Sequence, residues 1–269
     1  MEILSASLRD KGHQVEERNP LQYPLALGSS PTRKLDKEQP RLIPRLGWLS
    51  YPRGLRVVQQ AEAWGWRTLN TSITLQLLHD KWATAACWQR EGLPVVPQLL
   101  IQPDNDDTSS QLRKLNWTGP LIVKLLTGSQ GKGVARILEA REVSAWIDLL
   151  RTAKQEFLIQ PSIQGPEIRS LWFRGRELSS FERRGAPTDF RRNVQMGGQL
   201  GRVNLTAAES EILKRAQLAL RADFVGFDFF RCPEQGTLLL EANAFPGLSA
   251  SVTADAQLLP QLVAALEDI

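Results

Sequence analysis

Apolar and polar positions alternate between helical and strand-like periods along the chain. Met1 to Gly12 has the spacing of a helix, and Leu42-Ile43-Pro44-Arg45-Leu46-Gly47 reads as a strand running into a loop. Leu55 to Gly65 is helical again, and Thr68-Leu69-Asn70 is a short extended return. That succession is an α/β rhythm. The pattern then predicts one helix from Thr74 to Gly92, stopped by Gly92 and Pro94, and a strand-like segment from Val95 to Gln102 interrupted at Pro97.

Further on, the apolar runs become short and β-rich: Leu121 to Leu125, Val134 to Leu138, Phe157 to Gln160, Ile168 to Phe173 and Leu178 to Phe181. Arg174-Gly175-Arg176 reads as a hairpin turn. Thr206 and Glu209 stand at capping-box spacing ahead of a helix from Leu205 to Ala222, and the chain from Ala254 onward is helical. Two Pro- and polar-rich stretches interrupt the pattern. Asn19 to Pro40 reads as a long loop, and Gln102 to Ser110 as a domain border.

Composition narrows the function classes. With 269 residues of which 42% are hydrophobic, the chain has material for a core in one to three domains. No apolar run approaches the roughly 18 residues of a membrane helix, and no secretory pattern follows Met1, so a cytoplasmic protein is expected. A net charge of +4 suits an acidic ligand such as a nucleotide without demanding nucleic acid. The eight tryptophans are scattered rather than interleaved with arginines, which argues against a nucleic-acid surface. Cys87 and Cys232 lack partners at metal-ligand spacing and read as packed thiols.

The strongest chemical signal is Gly226-Phe227-Asp228-Phe229-Phe230 followed by Leu240-Glu241-Ala242-Asn243. If Pro233 to Gly236 forms a four-residue loop, Cys232 opposes Thr237 and the same register sets Asp228 against Glu241. Asn243, two residues beyond Glu241, projects to the same face. Two carboxylates and an amide oxygen make a hard-oxygen site with open coordination positions, as magnesium (or manganese) with a nucleotide requires.

A second signal is Lys124 within an apolar strand, leading into Gly128-Ser129-Gln130-Gly131-Lys132-Gly133. Glycines let a loop backbone approach phosphate oxygens, and Ser129 and Lys132 add donors. The loop is not a Walker A motif, because Gly133 rather than Ser or Thr follows Lys132. A third signal is a dense arginine set: Arg169, Arg174, Arg176, Arg183, Arg184, Arg191 and Arg192, with Asp189 and Asn193 nearby. Arginine binds carboxylate and phosphate through paired donors. Arg174 and Arg176 at the turn read as solvated, whereas Arg169, between Ile168 and Leu171, reads as an inward charge.

With these residues assembled, the chain resembles the RimK-type branch of the ATP-grasp superfamily, the ribosomal protein S6 glutamate ligases. The resemblance rests on Pro44-Arg45-Leu46-Gly47, His79-Asp80-Lys81, Lys124 with its glycine-rich loop, Glu167-Ile168-Arg169, Glu182-Arg183-Arg184, Asp189 to Asn193 with Gly197-Gly198, and Asp228 with Glu241-Ala242-Asn243. It implies an α/β and α+β architecture, the ATP-grasp fold: an N-terminal pre-ATP-grasp α/β domain (1–78), a small subdomain with the glycine-rich loop (79–161) and a C-terminal subdomain with the metal site (162–269).

By the same resemblance, Lys81, Lys124 and the loop residues Gly128, Ser129, Gln130, Gly131 and Gly133 hold ATP phosphates. Gln160-Pro161 runs along the adenine, Glu167 binds the ribose, and Arg191, Arg192 and Asn193 contact nucleotide and acyl phosphate. Asp228, Glu241 and Asn243 hold the metal, and Arg169, Arg191 and Asn193 are the catalytic candidates. The chain departs from the family pattern in three places. Met1 to Gly12 already reads as a helix, so the first sheet lacks a strand; Pro161-Ser162 stand in place of Glu and an aromatic residue; and Glu167 replaces Asp.

The implied reaction is ATP-dependent joining of a carboxylate to an amine through an acyl phosphate, with glutamate added to the C-terminus of a protein or peptide and ADP and phosphate released. It needs no enzyme nucleophile, in keeping with a chain whose only histidines, His13 and His79, read as helical surface residues. Alternatives are ligation to an amino-group carrier protein or a cofactor, or a non-catalytic ATP sensor. Self-association is a further expectation, around the arginine-rich loop at Asp189.

Overall fold

The computed structural model of the protein describes residues 2–28, 40–47, 50–102, 110, 112, 117, 119–126, 133–139, 142–185 and 199–268. Its N-terminal layer contains α1 (Glu2–Asp10), β1 (Arg41–Leu42), α2 (Tyr51–Ala63) and β2 (Arg67–Thr68). β1 and β2 pair in parallel, as the α/β rhythm predicts. The helix expected at the N-terminus is present, and the first sheet has two strands among the described residues.

The single helix predicted from Thr74 to Gly92 is two: α3 (Ser72–His79) and α4 (Lys81–Arg90). Asp80 separates them with extended backbone angles (φ −101°, ψ 111°), and its carboxylate accepts the Ala83 N–H at 3.0 Å. A short acidic side chain that bonds a neighbouring backbone N–H competes with helix continuation and starts a new helix instead. The break matters because it makes Lys81 the first residue of α4.

β3 (Leu99–Ile101), β4 (Leu121–Leu125), β5 (Val134–Ile137) and β6 (Phe157–Pro161) form an antiparallel sheet in the order β3-β6-β4-β5. Ile101, Val123, Ile137, Phe157 and Ile159 pack there with Ile147 of α5 (Val143–Thr152). Most of the polar stretch from Gln102 to Ser110 lies outside the described residues.

A larger antiparallel sheet has the order β11-β10-β7-β8-β9, from β7 (Glu167–Phe173), β8 (Arg176–Arg184), β9 (Gln199–Arg202), β10 (Phe224–Cys232) and β11 (Gly236–Asn243). β7 and β8 turn through Arg174-Gly175, both at positive φ (44° and 81°), which matches the twist a two-residue hairpin needs. The β10–β11 turn differs from the expected one. Cys232 opposes Gly236, not Thr237, so the loop has three residues. A bulge between Asp228 and Phe229 then shifts the register by one and restores Asp228 opposite Glu241. The expected pairing is thus present, for a reason that turn counting did not contain.

The two faces of this sheet are covered differently. On one, Ile168, Trp172, Phe227 and Phe229 pack with Trp88 of α4 and Leu213 of α6 (Ala207–Leu220). The predicted capping box starts α6: the Glu209 N–H donates to Thr206 Oγ1 at 3.2 Å, and the Thr206 N–H to Glu209 Oε2 at 2.8 Å. On the other face, Leu171, Phe173, Phe181 and Phe224 pack with Leu4 of α1 and with Leu258 and Leu262 of α8 (Leu258–Glu267), which follows α7 (Ser249–Ala254). The helical C-terminus is therefore broken, at Asp255.

Strand alternation puts Arg169 and Glu167 on the same face as Leu171, so this face turns from apolar to charged along β7. Gly226 lets the chain after β11 cross close above it, because a Cβ there would stand 2.9 Å from Pro246 and 3.2 Å from Leu171.

Asn70 fastens the N-terminal layer to this sheet. It is 1% exposed and at φ 62°; its amide donates to the carbonyls of Phe224 (2.7 Å) and Ala244 (3.1 Å), and its oxygen accepts from the N–H groups of Asp223 and Phe224. Truncation strands buried backbone groups at about 1–3 kcal/mol each and places Ala in a left-handed conformation. Asn70→Ala is expected to lower unfolding stability by about 3 kcal/mol or more; urea unfolding checks this, and a loss under about 1 kcal/mol contradicts it.

Candidate active site

The charged end of the large sheet is built by strand register. Asp228 on β10 lies opposite Arg169 on β7 and Glu241 on β11, and Glu167 lies opposite Arg183 on β8. Asp228 has no exposed surface. Arg169 grips it with two donors, Nε to Oδ1 at 2.8 Å and Nη2 to Oδ2 at 2.5 Å. Arg183 Nη1 donates to Glu167 Oε1 at 2.9 Å and lies 3.5 Å from Asp228 Oδ2. The inward orientation expected of Arg169 is present, with its side chain 12% exposed.

Asn243 Nδ2 lies 3.4 Å from both Asp228 Oδ2 and Glu241 Oε1, so the three predicted oxygen-bearing side chains converge. The donor set fits a hard divalent cation: two carboxylates and an amide, with the remaining positions left for water and phosphate. Rotation of the Asn243 amide presents its oxygen to a cation. Among the described residues no group of three or more His, Cys, Asp or Glu competes as a metal site.

Two lysines complete the cluster from other elements. Lys81 at the start of α4 donates from Nζ to the Leu126 carbonyl at 3.3 Å, linking it to the end of β4. Lys124, on β4, is the other. Burial would raise the Glu241 carboxyl, but the charges of Lys81 and Lys124, a hydrogen bond with Asp228 and the charge of Arg169 hold it down to about 2. Burial drives Asp228 upward, the Glu241 charge adds to this, and Arg169 and Arg183 only partly oppose it; the result is a rise from 3.8 to about 6. Burial lowers Lys124, against the pull of Glu241, Glu167 and Asp228. Arg183 loses to burial but gains more from Asp228 and Glu167, so its cationic form is strengthened.

Of the remaining predicted residues, Gln160 and Pro161 lie on β6, Gly133 precedes β5, and the others lie outside the described residues. Gln160 on β6 is buried and donates to Gln98 Oε1 at 2.8 Å, and Pro161 pairs with Leu121. Gly133, at φ 71°, has a packing reason of its own, since a Cβ would stand 2.6 Å from Leu125 Cδ1. Gly128, Ser129, Gln130, Gly131, Lys132, Asp189, Arg191, Arg192 and Asn193 lie outside the described residues.

Each histidine keeps half of its predicted placement, His13 being exposed but outside a helix and His79 helical but half-buried. His13 follows α1 and pairs with Glu267 at 3.0 Å, while half-buried His79 ends α3 and stacks on Tyr51 with ring centroids 3.4 Å apart. Burial, then the charge of Lys81, lowers His79, and burial pushes Tyr51 up to about 12. Arg183 was present in the arginine set but not singled out; the signal that finds it is its cross-strand position opposite Glu167.

The RimK-like ATP-grasp domain matches residues 78–266. This chain belongs to the RimK-like ATP-grasp family. A protein of Serratia proteamaculans named "Probable alpha-L-glutamate ligase" is 31% identical, with 91% of this chain and 83% of that protein covered. Among solved structures, the ATP-grasp ligase PsnB complexed with a minimal precursor superposes with a TM-score of 0.76 at 16% identity, covering 99% of this chain and 94% of that one. D-alanine–D-alanine ligase of Bacillus anthracis complexed with ATP gives 0.64 at 20% identity, over 78% and 74% of the two chains. These likenesses show an ATP-grasp fold, in agreement with the architecture expected from the sequence.

The RimK-like site has a defined pH signature. The lowered pKa of Glu241 contributes stability above the ordinary carboxylate range, and this is lost as pH falls toward about 2. The raised pKa of Asp228 has the opposite sign: its stabilising, protonated form is lost as pH rises from 3.8 through about 6. A proton on Asp228 competes with a cation, with Arg169 and Arg183 on one side and Glu241, Lys81 and Lys124 on the other. Mg2+ affinity of the ADP-saturated protein is therefore expected to fall about tenfold per unit below pH 6 and to level off above it. Calorimetric titration at pH 5, 6 and 7 measures this; a flat profile contradicts the assignment of Asp228.

Proposed function

We propose that this protein is an ATP- and magnesium-dependent carboxylate–amine ligase that adds glutamate to the C-terminal carboxylate of a peptide or protein. The observation that carries the reading is the convergence of Asp228, Glu241 and Asn243 on one sheet face, with Lys81 and Lys124 acting on Glu241. Family membership and the relatives' name support ligation with glutamate. The PsnB structure complexed with precursor peptide PsnA2 and AMPPNP supports a peptide acceptor. In this reading the chain divides into 1–78, 79–161 and 162–269.

The reaction begins when a carboxylate oxygen attacks the γ-phosphorus of ATP. The bond from that phosphorus to the bridging oxygen breaks, and ADP and an acyl phosphate result. The amine then attacks the acyl carbon, the carbon–oxygen bond to phosphate breaks with its electron pair leaving on phosphate, and the amine proton passes to solvent. Bound magnesium would supply charge neutralisation at the phosphates, held by Asp228, Glu241 and Asn243. Lys81 and Lys124 hold phosphate oxygens, and Glu167 the ribose. Arg169, together with Arg191 and Asn193, meets the oxyanion that forms on the acyl carbon.

The test is ADP release with Mg2+, ATP and glutamate, with and without a peptide ending in glutamate. Comparison is with an Asp228→Asn, Glu241→Gln double variant. Peptide-stimulated release that disappears in the variant supports the reading. Nucleotide binding without turnover on a broad panel of carboxylates replaces it with the sensor alternative, and turnover on a carrier protein or a cofactor alone replaces the acceptor class.

A further inference from the structure

The face of the small sheet that carries Lys124 also carries a pair of glutamines. Ile101, Leu121, Val123, Phe157 and Ile159 pack into the core on the opposite face, so strand alternation puts Leu100, Ile122, Lys124, Leu158 and Gln160 together on this one. Register arranges them in two rows. Leu100, Leu158, Lys124 and Val134 stand across from one another in the first. Gln160, Ile122 and Arg136 stand in the second, which Gln98, one residue before β3, extends beyond Gln160; Arg136 is exposed at the β5 edge. Sheet spacings put Gln98 about 12 Å from Lys124, across an apolar floor of Leu158, Ile122 and Leu100. Lys124 in turn feels the charges of Glu241, Glu167 and Asp228, so this face is turned toward the charged end of the large sheet. A nucleotide whose phosphates meet Lys124 and which lies along that floor brings its base to the glutamines.

Main-chain recognition of a base is restricted there. Pro161 has no N–H, and the N–H of Ser162 donates to the Pro120 carbonyl at 2.9 Å. Side chains are left to read it. Gln160 is 3% exposed, and its Nε2 donates to Gln98 Oε1 at 2.8 Å. Gln98 is only half-buried, and among the described residues no further hydrogen bond fixes either amide.

An amide presents an acceptor and a donor side by side. With the bond in this direction, Gln98 sets its oxygen next to Gln160 and its nitrogen beyond. When both amides turn over, Gln98 Nε2 donates to Gln160 Oε1 instead, and the edge that Gln98 offers is reversed. The first edge matches adenine, accepting from N6–H and donating to N1. The second matches guanine, donating to O6 and accepting from N1–H. The bond between the glutamines is kept in both states, so it selects neither.

We propose that Gln98 reads the purine edge through this reversible amide, with Gln160 as its positioning partner, and that the protein accepts GTP as well as ATP. The inference rests on the nucleotide site of the proposed ligase and widens its substrate class.

Calorimetric affinities for ADP, GDP and inorganic triphosphate, each with Mg2+, test it on the full-length protein, alongside turnover of ATP and GTP. For the unsubstituted protein GDP is expected to bind within about tenfold of ADP. A fixed reader would separate the two by about a hundredfold, and any gap wider than about tenfold overturns the inference. Gln160→Glu offers only acceptors, so Gln98 must turn its nitrogen toward it, and the affinity ratio should shift about tenfold toward GDP. Gln98→Leu removes the reading amide. Affinity for both nucleotides should then fall about tenfold, while inorganic triphosphate, which has no base, binds as before.

A glutamine pair that served packing alone would behave otherwise. Gln98→Leu would lower the thermal midpoint but leave ADP and GDP at native affinity, and the inference would be overturned. If Gln160→Glu does not fold, Gln98→Leu decides by the same readout. Binding of both nucleotides with the expected response to Gln98→Leu, but without turnover on any carboxylate, overturns the ligase reading and supports the amide assignment. Failure of either nucleotide to bind overturns the amide assignment.

Discussion

The site depends on a carboxylate that water does not reach. Asp228 is wholly buried, and a lone ionised carboxylate there would be driven to take up a proton. Two guanidinium groups oppose this, Arg169 through a two-pronged contact and Arg183 at longer range. They do not prevail completely, and the resulting rise to about 6 leaves Asp228 poised between protonated and ionised forms. Glu241 beside it is held at about 2 because Lys81 and Lys124 approach from other elements. Two neighbouring carboxylates are thus driven apart in acidity by what surrounds each.

That arrangement needs three parts of the fold to meet. β7, β8, β10 and β11 supply the carboxylates and guanidiniums in register, α4 supplies Lys81, and β4 supplies Lys124. The segment from Pro94 to Val96 joins them, since the Val96 N–H donates to the Leu239 carbonyl and the Leu239 N–H to that of Pro94. It adds to the edge of β11 and leads directly into β3. The small sheet is therefore anchored two residues from Glu241 by backbone pairing, beside the packing of Val95 against the cluster that holds Leu239.

Membership of the RimK-like family gives this geometry a chemical context. Glu167 reaches Arg183 and forms a buried pair. Pro161 sits in β6 opposite Leu121, where an extended strand end accepts its fixed φ. Polar fastening joins the N-terminal layer to the large sheet: Asn70 satisfies backbone groups of β10 and of the chain after β11 at once. The N-terminal layer is thereby locked to the sheet that bears the site.

Much of this was legible along the chain, because strand period, capping residues and motif chemistry are local. The hairpin of Asp228 and Glu241, the inward Arg169, the Thr206–Glu209 capping box and the Arg174-Gly175 turn each follow from a few neighbouring residues. What a linear reading cannot contain are pairings between distant residues. The bulge that rescues the Asp228–Glu241 register depends on how β10 fits between β7 and β11. Arg183 became a member of the site only when β8 placed it against Glu167, and the position of Lys81 at the start of a helix followed from a break at Asp80 that periodicity alone did not contain. The acidity of Asp228 was decided last, since burial and the distances to three surrounding charges exist only in the folded chain. Sequence by itself determined which chemistry was available; tertiary structure decided which groups meet and how strongly each is charged, because electrostatic energy follows distance and solvent access rather than chain position.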